Sequence, residues 1–66
     1  GGNIPTALNA ANEVAVARFL DRKIKYLDIP DIIEYAMNEV DYIKNPTVEE
    51  ILSTQKIVTD MIESRW

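Results

Sequence analysis

Sixty-six residues make one domain at most, and a chain this short leaves much of its apolar area in water even when folded. It has no Cys and no His, which removes disulfides, thiolate zinc sites, the commonest general base and the commonest metal ligand. A formal net charge of −4 argues against nucleic acid or an anionic membrane as the main partner.

An enzyme complete within these residues is therefore not expected, and the small size calls for support from a partner surface. With 47% hydrophobic residues, two Gly and three Pro, the composition suits a compact domain rather than a disordered segment. The longest apolar run, Val14–Ala17, is far too short to span a bilayer. Gly1-Gly2-Asn3 has neither the basic nor the apolar region of a signal peptide.

Pro5, Pro30 and Pro46 each stand just before, or one turn into, a stretch of helical periodicity, where a missing N–H is no loss. No useful period-2 strand is present. The expectation is an all-α, small up-and-down bundle of three to four helices, at about 5–22, 28–41, 47–53 and 54–65.

The first helix is rich in Ala and has no Gly. At roughly 100° per residue, Leu8, Ala11, Ala15 and Phe19 share one side, which Val16 and Leu20 extend, while Ala7, Ala10, Val14 and Ala17 fall opposite. A helix apolar on most of its circumference is normally buried. Three short helices hardly enclose it, so the side bearing Ala7, Ala10, Val14 and Ala17 is expected to face a body outside this chain. Asn9 and Asn12 project within the other apolar arc. If buried there, each amide needs partners, because an unpaired one costs roughly 1–3 kcal/mol. They either tie down neighbouring backbone or touch a domain or ligand beyond these residues. Glu13 is the one carboxylate within the helix body, and a lone carboxylate names no reaction.

Lys23–Leu27 is an extended connector whose two lysines form the one locally basic patch. Asp28 is expected to cap the second helix, with Pro30 in its first turn and Asp31 complementing its positive end. Ile29, Ile32, Ile33, Ala36, Met37 and Val40 share its apolar face. Asp28 and Asp31 could be imagined as a metal pair, but capping accounts for both. Thr47 and Glu50 form a capping box before the third helix. The apolar stripe begun by Val48, Ile51 and Leu52 resumes at Ile57, Val58, Met61 and Ile62, turned by roughly a quarter turn. Ser53–Thr54 at that change reads as a new N-cap, hence a distinct fourth helix. Trp66 either docks on the core or hangs loose at the terminus. No Gly-rich phosphate loop is present, and no catalytic, cofactor-binding or metal-binding residue can be named.

The block Gly1-Gly2-Asn3-Ile4-Pro5, followed by Leu8-Asn9-Ala10-Ala11-Asn12-Glu13 and Phe19-Leu20, resembles the start of the C-terminal domain of 1-deoxy-D-xylulose 5-phosphate reductoisomerases. The Asp28-Ile29 entry and Asn45-Pro46-Thr47 before Val48-Glu49-Glu50-Ile51 are also similar, so the resemblance covers nearly the whole chain. It implies a parent enzyme that converts 1-deoxy-D-xylulose 5-phosphate to 2-C-methyl-D-erythritol 4-phosphate in non-mevalonate isoprenoid biosynthesis. That enzyme uses NADPH and a divalent metal, Mg or Mn, neither held by these residues. The resemblance further implies that residues 1–66 follow an N-terminal dinucleotide-binding domain and a central catalytic domain. The catalytic domain would be the partner of residues 1–66, in a homodimer of the bacterial cytoplasm or a plastid-type organelle. Asn9, Asn12 and Glu13 are then structural polar residues at an interdomain contact. The competing reading is a free-standing acidic helical interaction module whose Asn-rich block arose independently. Several hundred codons upstream of Gly1 would decide for the first.

Overall fold

In the computed structural model, which describes residues 1–66, the chain forms three α-helices and no strand. Helix α1 is Ile4–Leu20, α2 is Asp28–Glu39 and α3 is Val48–Glu63. Pro5 sits in the first turn of α1, as its position predicts. Helix α1 lies centrally and packs on both α2 and α3, which scarcely touch each other.

The side of α1 facing its neighbours is made almost wholly of alanine. Ala7, Ala10, Ala11 and Ala15 are buried, joined in the core by Ile32 and Ala36 of α2 and by Val58 and Ile62 of α3. Methyl-sized side chains let two helices approach one backbone closely, so isoleucines from both flanks can close the core. This corrects the expectation that Ala7, Ala10, Val14 and Ala17 face a body outside the chain. Ala7 and Ala10 are buried by α2 and α3, and Val14 is half-buried against the same core. Only Ala17 of the four is exposed.

Helix α1 ends in a Schellman motif. The Lys23 N–H donates to the Arg18 carbonyl at 2.9 Å, and the Arg22 N–H to the Phe19 carbonyl at 3.0 Å. The motif needs a left-handed residue at its turn, and Arg22 occupies it with φ +60°. A β-carbon is disfavoured there. Arg22→Gly should therefore raise stability by about 0.5–1 kcal/mol, seen as a higher urea midpoint at unchanged slope.

Asp28 does not cap α2. Leu27 holds the N-cap position, and the Asp28 carboxylate instead accepts the Lys25 N–H at 2.8 Å. The first amides of α2 are satisfied by tight-turn bonds, Asp28 N–H to the Lys25 carbonyl and Ile29 N–H to the Tyr26 carbonyl. Asp28 thus fastens the connector's last turn, one residue inside the helix. Its carboxylate and that of Asp31 still lie in the first turn, where they oppose the positive helix end.

The Thr47–Glu50 capping box is present in both directions. Thr47 Oγ1 accepts the Glu50 N–H at 3.1 Å, and the Thr47 N–H donates to Glu50 Oε1 at 3.0 Å. Thr47→Ala should lower stability by about 1 kcal/mol, measurable by urea unfolding.

Helix α3 runs unbroken from Val48 to Glu63, so the separate third and fourth helices expected from the shift in the apolar stripe are one helix. The shift has a physical cause. Val48, Leu52 and Ile57, which create it, are exposed. The true inner face runs through Ile51, Thr54, Val58, Met61 and Ile62. Thr54 is a buried polar member of that face rather than a cap: its hydroxyl donates to the Glu50 carbonyl at 2.8 Å, one turn back. Trp66 docks, packing edge-on against Tyr35 with ring centroids 5.3 Å apart, while the Arg65 guanidinium stacks 4.4 Å from the Tyr35 ring centre.

Asn3 fastens the start of α1 to the rest of the fold. It is buried, and its side chain makes no cap bond for α1. Its Nδ2 donates to the Asp41 carbonyl at 2.8 Å and to Thr54 Oγ1 at 3.2 Å, and its Oδ1 accepts the Ile43 N–H at 2.8 Å. The Asn3 N–H in turn donates to the Ile43 carbonyl at 3.1 Å. One amide thereby joins the N-terminus of α1, the α2–α3 connector and the middle of α3. Gly2, beside it, is left-handed with φ +61°.

Candidate interaction surface

The outer side of α1 carries its large side chains. Leu8, Val16, Phe19 and Leu20 are 47%, 37%, 36% and 73% exposed, although each is of a type that normally fills a core. At 100° per residue they fall within one arc of the helix, together with Asn9 and Asn12. The helix thus buries its alanines and presents its bulky residues to solvent. Past the C-terminus of α1, Tyr26 and Leu27 extend the stripe, and Tyr26 packs edge-on against Phe19 with ring centroids 5.6 Å apart.

Asn9 and Asn12 are exposed, and neither takes part in a side-chain hydrogen bond within the chain. The alternative in which they tie down neighbouring backbone is therefore not the arrangement adopted. Both amides line an open groove of ≈ 440 Å³ between α1 and α2, with Pro5, Leu8 and Ile33. Glu13 lies at the edge of the stripe, exposed rather than within an apolar shell. It borders a second depression shared with Arg18 of α1 and Thr59 and Glu63 of α3, where Arg18 Nη2 donates to the Glu63 carbonyl at 3.2 Å.

Sequence reasoning passed over Asn3 as a functional amide. Its one available signal was its place beside Gly2, directly before the helix.

The chemistry of these groups is sparse. No three Asp or Glu side chains are grouped so as to hold a metal ion. The Asp28 carboxylate is engaged by the Lys25 amide. The carboxylates present do not form a donor set for a divalent metal. The single salt bridge, Lys56 Nζ to Asp60 Oδ2 at 2.8 Å, lies on the surface of α3. The hydrogen bond to Asp60, then its charge, raises the Lys56 pKa above the ordinary 10.5. What that pair adds to stability is present below pH 10.5 and fades as pH rises through the raised value, and the exposure of both side chains keeps it small. No helix is long and apolar enough to cross a membrane.

Comparison with known proteins supplies what the geometry does not. The family described as DXP reductoisomerase C-terminal domain matches residues 1–61. The chain belongs to that family. Similar relatives include a 1-deoxy-D-xylulose 5-phosphate reductoisomerase of Lachnospira eligens, 97% identical over the whole chain. The enzyme of the same name from Agathobacter rectalis is 61% identical over the whole chain, and that from Lachnoclostridium phytofermentans is 49% identical over 96% of it. The chain spans 17%, 17% and 16% of these three relatives. No solved structure matches the chain.

Proposed function

We propose that residues 1–66 are the non-catalytic C-terminal part of a reductoisomerase that rearranges and reduces 1-deoxy-D-xylulose 5-phosphate to 2-C-methyl-D-erythritol 4-phosphate. The observation that carries this reading is the identity of 97% across the entire chain to a reductoisomerase of which it makes up 17%. The remaining length is ample for a nucleotide-binding and a catalytic domain upstream. NADPH and a divalent metal would be held there, since these residues offer neither a phosphate-cradling loop nor a cluster of metal-binding carboxylates. The role left to the helical domain is to brace the catalytic part of the same subunit, in an enzyme that works as a homodimer away from membranes and nucleic acid.

The test compares three proteins: the full-length reductoisomerase, the same enzyme ending before Gly1, and the 66 residues alone. Oxidation of NADPH with the sugar phosphate is followed at 340 nm, the ordinary absorbance of the reduced nicotinamide. The full-length enzyme should turn over, the truncated enzyme should lose most activity and melt at a lower temperature, and the 66 residues should show none. Turnover by the 66 residues, or a truncated enzyme unchanged in activity and melting, would overturn the reading.

A further inference from the structure

We infer that the outer face of α1, from Leu8 to Leu20 and on to Leu27, is the seat of the polypeptide segment that precedes Gly1 in the full-length enzyme. The inference deepens the domain reading above and rests on it. Its first support is the inversion of α1, in which small residues are inside and large apolar ones outside. Selection for the stability of these 66 residues alone gives no reason to place Leu8, Val16, Phe19 and Leu20 in water along one arc, because their burial is the favourable event. The second support is length: roughly five-sixths of each relative lies outside the part that aligns, and the family matched is the C-terminal domain. The third is chemistry. On the α1 part of the stripe only Asn9 and Asn12 are polar, and neither side chain is hydrogen-bonded within this chain. Neutral amides flanked by Leu8 and Val16 suit the backbone N–H and C=O groups of a packed segment, whereas a charged ligand would call for charged partners.

A second copy of the chain is the rival occupant. The upstream segment is favoured because it is tethered: a covalently linked neighbour is present at high effective concentration, and it needs no separate association step.

The experiment uses the full-length enzyme. Val16→Cys and Leu20→Cys are made singly, with Lys56→Cys on the exposed outer side of α3 as the reference. Thiol labelling is read at each position by peptide mass spectrometry, natively and in urea. The Val16→Cys and Leu20→Cys enzymes should label at these positions at least about 100-fold more slowly in the native state than in urea, as a closed interface requires. Native labelling of both within about 10-fold of the urea rate overturns the inference. A photo-crosslinking residue at Leu20 gives a second, independent readout. Crosslinks to peptides upstream of Gly1 in the same subunit support the inference, and crosslinks to a second copy overturn it. Failure of the domain reading would appear differently, as NADPH oxidation by the 66 residues alone, whatever the labelling rates.

Discussion

Asn3→Ala is expected to lower stability by about 2–4 kcal/mol, read as a fall in the urea midpoint at unchanged slope. Three side-chain hydrogen bonds disappear together, to the Asp41 carbonyl, the Ile43 N–H and the Thr54 hydroxyl. The larger loss is not the bonds but what they leave behind. The Ile43 N–H and the Asp41 carbonyl would sit against a methyl group with no partner from α1, and an unsatisfied buried group costs about 1–3 kcal/mol. Thr54 keeps its bond to the Glu50 carbonyl and loses less. Since a chain of this length has on the order of 3–10 kcal/mol in all, one truncation removes a large share. Asn3→Asp separates hydrogen bonding from volume. It keeps the shape and the acceptor for Ile43, but puts a carboxylate oxygen where Nδ2 faced the Asp41 carbonyl, so it should be at least as damaging at pH 7 as the alanine. Recovery of stability in Asn3→Asp would refute the assignment of Nδ2 as the donor in this contact.

The sequence made the helices legible because their punctuation is local. Pro5 and the Thr47–Glu50 box act within one turn, and both are found where their spacing put them. What it hid was every decision taken between helices. The breadth of the apolar surface of α1 was plain, yet periodicity alone could not say which side turns inward. The answer depends on how closely α2 and α3 approach, and alanine permits an approach that Leu8 or Phe19 would block. The continuity of α3 was hidden for a related reason. Thr54 has the residue type of a cap, but its hydroxyl is satisfied by the Glu50 carbonyl and the Asn3 amide, the latter 51 positions away. The outer-face amides were noticed for their setting among apolar neighbours, whereas the amide that holds the fold, Asn3, stood in a loop context where asparagine is ordinary. Family resemblance reached further than either pattern because it rests on the residue identities of the block from Leu8 to Glu13, which no periodicity or composition of 66 residues contains.

Gly2→Ala should be as costly as Asn3→Ala, at least about 3 kcal/mol, by a different route. The φ of +61° alone disfavours an L side chain by roughly 1–2 kcal/mol. A β-carbon at Gly2 would also run into the Ile43 carbonyl oxygen, and would lie 2.9 Å from the Tyr42 ring. Tyr42 is exposed and can swing away, but the carbonyl is backbone and is already the acceptor for the Asn3 N–H. Relief requires moving the connector at Ile43 away from Gly2, which stretches the same hydrogen bonds that Asn3→Ala removes. The two substitutions therefore damage one contact, and contacts shared in this way do not add. The double variant Gly2→Ala/Asn3→Ala should be less destabilised than the two single losses combined by about 1–2 kcal/mol. Additivity within about 0.5 kcal/mol would mean that Gly2 and Asn3 act independently. Coupling would show that the Gly2-Asn3 pair works as one latch, with the glycine providing the space in which the amide reaches across to the α2–α3 connector.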